Sequence, residues 1–177
     1  MTGEVIDEQE LGEGQAKSLH LPIKIGRDDE RQIEVLHGVE LVTVIQIVAL
    51  ERGCTVEELI IVREGEELPL DPGTVIGSDY PHHRRHHIHH RSEVKVVVYY
   101  NAATHHHEFK GHDTVEDVLT WAIKVFNIDP AMAPEFELAL HGSKDELPGT
   151  EHIGHLAGHH KELDLDLIRG TLVNGAA

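Results

Sequence analysis

Histidine is the residue type whose number and spacing in this sequence most readily suggest chemistry. The chain has 17 histidines among 177 residues, and a dense run of them lies between His82 and His90. Imidazole nitrogens bind zinc, nickel and copper, so such a run could form a metal site. In an extended strand, side chains alternate between faces, which places His87 and His89 on one face and His86 and His90 on the other.

Two features argue against a metal site in this run. Structural zinc usually has four ligands, often including a carboxylate or a thiolate, and no regular His-x₃-His spacing on a helix occurs here. Arg84, Arg85 and Arg91 lie among the histidines and would repel a cation. We therefore expect no metal and no cofactor, and interpret the run as a cationic segment between domains. The less favoured ligand candidates are His86, His87, His89 and His90.

A histidine-rich metal-binding protein is nevertheless an alternative hypothesis. It predicts stoichiometric zinc or nickel in the purified protein, lost when residues 86–90 are changed. The single cysteine, Cys54, excludes an intramolecular disulfide and a cysteine-based metal cluster. No motif joins it to His37, and we interpret it as a core or loop residue. The sequence lacks a phosphate-binding loop, a nucleophile elbow and a paired-carboxylate motif, so we expect no enzyme.

Charge and hydropathy exclude other classes of partner. The formal net charge is −17, and such a surface repels nucleic acid and anionic membranes. The first 17 residues lack the basic start and apolar run of a signal peptide. No apolar run approaches the roughly 18 residues that a membrane span needs. We therefore expect a cytoplasmic protein that binds neither nucleic acid nor membrane.

The first half of the chain predicts a hairpin, a helix and one further strand. Alternating residues predict strands over 19–25 and 31–36. Residues 40–51 are predicted to be helical because the segment is long for a strand and a glycine lies just past its end. Residues 59–62 form a short apolar run typical of a buried strand. The histidine-rich stretch, 81–92, is either a linker or the last strand of this half.

The second half has the clearer pattern. Asp113 and Glu116 have the spacing of a capping box, and apolar residues then recur every three or four positions up to about residue 127. This pattern predicts an amphipathic helix. Strands are predicted over four segments: 93–101, 104–109, 135–142 and 163–167.

Each half therefore predicts an α+β fold with one helix packed on one face of a sheet. We divide the chain into four parts. Residues 1–17 are an acidic leader that we expect to be disordered. A first domain over 18–91 includes the junction rich in histidine and arginine, a second domain spans 92–170, and 171–177 form a flexible C-terminal tail.

The second half resembles ubiquitin in the order of its segments. VKVVVYYN resembles the first strand, DTVEDV the helix start, EFELALHGSKDEL the third strand and following turn, and LDLDLIRG the last strand with its Arg-Gly exit. The first half matches more loosely over 18–91. Together the halves resemble the tandem ubiquitin-like modifiers, of the bacterial BilA type that is similar to the interferon-induced tandem modifier of vertebrates. The resemblance implies two tandem β-grasp domains.

The resemblance also implies a function. Proteins of this type are modifiers joined to a target through a C-terminal glycine, and they take part in antiphage defence. They are encoded beside activating and conjugating enzymes and a metallopeptidase. The expected partners are therefore an activating enzyme, a conjugating enzyme and a processing or deconjugating metallopeptidase, with the target unspecified.

Two glycines could carry the reactive carboxylate. Gly170 directly follows the last predicted strand, which leaves almost no reach, whereas Gly175 lies eight residues beyond Leu167. At about 3.3 Å per extended residue, that segment reaches on the order of 25 Å. We therefore favour Gly175, with Gly170 as the alternative, after a peptidase removes Ala176 and Ala177. The segment that would thread the enzyme channel is Arg169, Gly170, Thr171, Leu172, Val173 and Asn174. The opposing interpretation is a frayed terminus.

The recognition surface is expected to differ from that of ubiquitin. Ubiquitin's patch is apolar and lies on the outward side of its third and last strands, and the comparable positions here are Ala139, Asp164 and Asp166. Receptors that read an apolar patch should ignore this domain, because burying unpaired carboxylates is costly. The main rival function is a non-conjugated β-grasp adaptor that binds partners through its sheets.

Overall fold

A computed structural model describes residues 17–170. The expected leader, apart from Lys17, and the whole of 171–177 lie outside the described residues. The first domain consists of strands β1 (Ser18–Gly26), β2 (Asp29–Leu36), β3 (Leu59–Arg63) and β4 (His86–His90) with helix α1 (Leu41–Arg52). The second consists of strands β5 (Val94–Tyr100), β6 (Ala103–Phe109), β7 (Phe136–Leu140) and β8 (Glu162–Arg169) with helices α2 (Val115–Val125) and α3 (Ile153–Ala157).

The two sheets have the same topology. Their strand orders are β2-β1-β4-β3 and β6-β5-β8-β7, with the two central strands of each sheet parallel and the outer pairs antiparallel. Each sheet packs its helix on one face, and each domain has its own core of aliphatic side chains. The predicted fold class, two tandem β-grasp domains, is confirmed.

The histidine-rich stretch supplies the last strand of the first domain. β4 pairs parallel with β1 and antiparallel with β3. Ile88 points into the first core and is fully buried, whereas His87 and His89 lie on the opposite face of the sheet. This alternation agrees with the prediction for an extended strand, and it excludes the alternative of an unstructured linker for residues 86–90.

Helix α1 ends as its sequence predicts. Gly53 follows the helix in the left-handed conformation, with φ of 66°, and its N–H bonds back to carbonyls of the last turn. Glycine has no Cβ and adopts this conformation without strain. The segment is therefore a helix despite its many β-branched residues, and one face of it, including Val44 and Val48, is buried against the sheet.

The capping box of α2 is displaced by one residue from the predicted pair. Thr114 has extended backbone angles and is the N-cap, and its hydroxyl accepts from the Asp117 N–H at 3.3 Å. The Asp117 carboxylate accepts from the Thr114 N–H at 2.9 Å. The predicted box of Asp113 and Glu116 is wrong, because Asp113 instead accepts from the Lys110 N–H at 2.7 Å and closes the preceding turn. No helix within residues 17–170 is both long and apolar enough to cross a membrane.

Candidate functional site

The chain leaves the second domain at a well-defined point. β8 ends at Arg169, and the Gly170 N–H donates to the Glu135 carbonyl at 2.8 Å. The Arg169 guanidinium lies 5.6 Å from the centre of the Phe136 ring, and one of its nitrogens is 3.8 Å from the Glu135 carboxylate. A side chain at position 170 would collide with the Glu137 carboxylate. Gly170 is therefore held against the domain.

The other predicted tail residues lie beyond this point. Thr171, Leu172, Val173, Asn174 and Gly175 are outside the described residues. The preference for Gly175 over Gly170 stays a prediction, although the backbone hydrogen bond at Gly170 agrees with the expectation that this glycine has almost no reach.

Two carboxyl groups stand near the exit. Burial raises the pKa of the Glu137 carboxyl, and the neighbouring charge and hydrogen bond of Glu146 raise it further. Acidic groups therefore stand beside the Arg169 side chain at this point of the chain.

The outward face of β7 and β8 carries the residues expected at the recognition patch. Ala139 lies opposite Asp166, and both point away from the second core. Ala139 is fully buried and offers no surface. Asp164 is half-buried, and one of its carboxylate oxygens has no hydrogen-bond partner within residues 17–170. The patch positions themselves therefore expose little more than carboxylate groups.

The Asp166 carboxylate organises the turn beside this face. One of its oxygens lies 2.7 Å from Nδ1 of His141, and the other accepts from the Gly142 N–H at 2.8 Å. The His141 ring also stacks on Tyr99, with ring centres 4.4 Å apart. Tyr99, His141 and Asp166 thus form an aromatic and acidic surface, and its equivalence to ubiquitin's patch stays a prediction.

The corresponding face of the first domain is covered. Its third and last strands are β3 and β4, whose outward side chains pair across the strands as Ile60 with His89 and Val62 with His87. All four are buried, with Val62 fully so, and they lie outside the first hydrophobic core. The second domain packs on this face through α3 and the residue before it.

A cluster of four histidines occupies that contact, and we call it the histidine cluster. It consists of His87 and His89 from β4, His152 directly before α3, and His155 within α3. Nδ1 of His87 is 3.0 Å from Nε2 of His155. Nε2 of His89 is 2.8 Å from Nδ1 of His152. One ring nitrogen from each of the four lies within 4.8 Å of the others.

Burial keeps these imidazoles neutral. Removal from water lowers the pKa of His87 to about 2, of His155 to about 3 and of His152 to about 4. The pKa of His89 is also well below its usual range, for the same reason. The positive charges that neighbouring cluster rings would carry also contribute to the low pKa of His87, His89 and His155, because like charges in a small volume disfavour protonation. At pH 7 each ring is therefore neutral and has one N–H and one lone pair.

Close packing and an ion pair surround the histidine cluster. Gly111 and Gly154 lie against the His89 ring, and a Cβ on Gly154 would be 2.5 Å from His89 Nδ1 and 2.9 Å from the Gly111 carbonyl oxygen. Lys24 is the neighbour of His87 on β1, and its Nζ is 3.1 Å from the Glu151 carboxylate. Glu64 reaches to 3.7 Å from Nε2 of His87.

The structure thus divides the four histidines proposed as less favoured ligand candidates. His87 and His89 lie together in the histidine cluster. His86 lies elsewhere, with its Nε2 2.6 Å from the Tyr80 hydroxyl. His90 is half-buried at the strand end. His152 and His155 were missed, although their spacing of three residues on a helical turn was a visible signal.

Cys54 is a half-buried free thiol that packs against the first core.

Comparison with known protein families identifies a relative of the second domain. The family model for BilA ubiquitin-like domain 2 matches residues 95–170. The search of curated proteins found no match. With this domain match and the shared topology of the two sheets, the resemblance to tandem ubiquitin-like proteins of the BilA type is confirmed.

Solved ubiquitin-like structures are similar over less than half of the chain. Ubiquitin of Caldiarchaeum subterraneum is 19% identical with a TM-score of 0.37, over 46% of this chain and 99% of that one. A chain of a pParkin-pUb-UbcH7 complex is 25% identical with a TM-score of 0.35, over 44% of this chain and 25% of that one. An N-terminal ubiquitin-like domain solved in solution is 12% identical with a TM-score of 0.37, over 44% of this chain and 78% of that one.

Proposed function

We propose that this protein is a ubiquitin-like modifier that is joined to a target protein through Gly175, in a bacterial antiphage defence pathway in the cytoplasm. The observation that carries the proposal is the match of residues 95–170 to BilA ubiquitin-like domain 2. The catalytic groups belong to its partner enzymes, and the protein itself is not an enzyme. It contributes a tail and recognition surfaces.

The tail begins where the domain releases the chain. The Gly170 N–H is bonded to the Glu135 carbonyl, so the reach of a reactive carboxylate is measured from this position. At about 3.3 Å per extended residue, the five residues from Gly170 to Gly175 span at most roughly 17 Å. A glycine at the reactive position has no side chain to clash in a narrow enzyme channel. Both considerations favour Gly175 over Gly170.

The chemistry proceeds on the partner enzymes. A metallopeptidase first hydrolyses the bond after Gly175 and releases Ala176 and Ala177. The activating enzyme then joins the Gly175 carboxylate to the α-phosphate of ATP, with loss of pyrophosphate. An enzyme thiol displaces AMP and forms a thioester, which passes to the conjugating enzyme. An amine of the target displaces that thiol and forms an isopeptide bond.

Partner recognition is expected on the second domain. The face of the first domain that corresponds to ubiquitin's patch is buried against α3, so an enzyme cannot reach Val62 or His89 without separating the domains. The surface made of Tyr99, His141 and Asp166 is the equivalent face on the second domain. It also suits the rival function, an adaptor that binds partners through its sheets without conjugation.

Truncation in the native host separates the two functions. The chain ending at Gly175 is expected to form covalent adducts with or without the metallopeptidase, and the full chain only with it. The chain ending at Asn174 forms none. An adaptor predicts that all three chains behave alike and that deletion of 171–177 changes nothing.

A further inference from the structure

We propose that the histidine cluster binds one zinc ion, which fixes the second domain on the outward face of the first sheet. The ligands are His87 and His89 from β4, His152 directly before α3, and His155 within α3. Zinc accepts four imidazole nitrogens in a closed tetrahedral site, and the ligands come equally from both domains.

Hydrogen bonding within the cluster is incomplete without a cation. A neutral imidazole has one N–H and one lone pair, so the contact of His87 Nδ1 with His155 Nε2 uses one of each. One N–H and one lone pair are then left on His87 Nε2 and His155 Nδ1. Both atoms are buried, and neither makes a hydrogen bond of normal geometry within residues 17–170. The Ile25 carbonyl nevertheless interacts with the His155 ring and raises its pKa. Buried polar groups without partners are uncommon and costly.

A cation changes this arrangement in a favourable direction. If the facing nitrogens of both rings give their lone pairs to zinc, each ring carries its N–H on the remaining nitrogen. On His87 that nitrogen is Nε2, which lies 3.7 Å from the Glu64 carboxylate. A carboxylate behind a ligating histidine orients the ring and makes it a stronger ligand.

The distances suit a zinc ion after small movements. Zn–N bonds of about 2.0–2.1 Å place neighbouring nitrogens of a tetrahedron about 3.3 Å apart. The two close pairs, at 3.0 and 2.8 Å, would separate by a few tenths of an ångström. The distances between the two pairs, all within 4.8 Å, would shorten.

The charges around the cluster are balanced before the cation enters. Lys24 would repel zinc, but its ammonium is paired with Glu151 at 3.1 Å. Arg85 is 40% exposed and is paired with Glu30 and Glu64. The Glu64 carboxylate is thus shared between Arg85 and His87, and it supplies negative charge close to the site. Arg85, whose charge is paired with two carboxylates, therefore does not exclude a cation here.

The backbone at Gly111 and Gly154 packs closely against the His89 side chain. Glycine at positions 111 and 154 leaves room for this side chain, because a Cβ at 111 would lie 2.9 Å from the His89 Cβ and one at 154 would lie 2.5 Å from its Nδ1. The side chain is 2% exposed. The His89 ligand is thereby positioned by the backbone at Gly111 and Gly154.

Zinc titration of the full, untagged chain, purified without a metal column, tests the proposal. After treatment with a chelator, the wild type is expected to take up one zinc per chain in competition with a chromophoric chelator. His152→Asn and His155→Asn should weaken the tight site by more than about tenfold, since each removes a ligand. His106→Asn, on an exposed position of β6, is the matched control and should leave it unchanged. Equal loss in the control, or no loss in the cluster variants, would overturn the proposal.

X-ray absorption spectroscopy of the zinc-loaded wild type measures the atoms around zinc directly. It does not depend on whether a ligand variant folds. Four imidazole nitrogens around zinc are expected, and a five- or six-coordinate shell rich in oxygen would contradict the site. Cobalt in place of zinc gives a further readout with His152→Cys, where a thiolate-to-cobalt charge-transfer band should appear that the wild type lacks. A folded His152→Cys protein without this band would also overturn the assignment. Loss of zinc binding would leave conjugation through Gly175 as a separate question.

Discussion

Nδ1 of His87 lies 3.0 Å from Nε2 of His155, a contact that joins the last strand of the first domain to the short helix of the second. The contact occupies the face of the first sheet that corresponds to ubiquitin's recognition patch. The two β-grasp domains therefore differ in which face of the sheet is buried. The first offers a covered face, and the second carries the free face and the exit of the chain.

The buried ion pair at this contact should contribute to stability. Glu151→Gln leaves the Lys24 ammonium, 16% exposed, without its partner, and we expect a loss of about 2 kcal/mol in the free energy of unfolding. Chemical denaturation measures it. Glu162→Gln is the control, because the Lys95–Glu162 pair is about half exposed and should cost less than about 0.5 kcal/mol. Similar losses in both variants would contradict a buried domain contact.

Gly154→Ala should destabilise the protein although alanine favours helices. The new Cβ would lie 2.5 Å from His89 Nδ1 and 2.9 Å from the Gly111 carbonyl oxygen, so rings and backbone must shift. We expect a loss of about 1–3 kcal/mol, as for other overpacked sites. Gly149→Ala serves as the comparison, since its Cβ would meet its nearest neighbour at an ordinary 3.7 Å. If Gly154→Ala were neutral or stabilising in thermal and chemical unfolding, the close packing described at His89 would be incorrect.

The displaced capping box makes a residue-specific prediction. Thr114→Ala removes the hydroxyl that accepts from the Asp117 N–H and should cost about 1 kcal/mol. Glu116→Ala should be close to neutral, because Glu116 is exposed and the box is closed by Asp117 instead. Urea denaturation of the two variants decides between the box at 114–117 and the one that the sequence suggested at 113–116.

Tyr80→Phe probes a polar contact inside the first domain. The Tyr80 hydroxyl lies 2.6 Å from Nε2 of His86, and the His86 side chain is fully buried. Removal of the hydroxyl leaves that nitrogen without its partner, and we expect a loss of about 1–2 kcal/mol in unfolding free energy. Tyr99→Phe, where the ring rather than the hydroxyl makes the contact with His141, should retain wild-type stability. Equal effects of the two variants would argue against the Tyr80–His86 bond.

Local pattern was enough to predict most of the fold. Alternation identified the strands, and the glycine after residue 52 correctly favoured a helix over a strand for α1. Alternation also placed His87 and His89 on one face. The capping error arose because Asp113 and Thr114 are both good N-caps, and only the backbone of the preceding turn selects between them.

Long-range contact limited what could be predicted of the site. His87 and His155 are 68 residues apart, and no local period reveals that the two domains bring them together. Within the run itself, Arg85 argues against a cation, because its partners, Glu30 and Glu64, come from elsewhere in the first domain. Candidate metal ligands that come from two domains are recognised only once the two domains are placed.

The central claim is conjugation through Gly175, and mass spectrometry of the protein recovered from its native host tests it most directly. The account predicts C-terminal peptides that end at Gly175, together with Gly175 joined to a side-chain amine of another protein, under inducing conditions such as phage infection. If every copy retained Ala176 and Ala177 under those conditions, with no adduct, conjugation would be contradicted and the adaptor function would stand in its place.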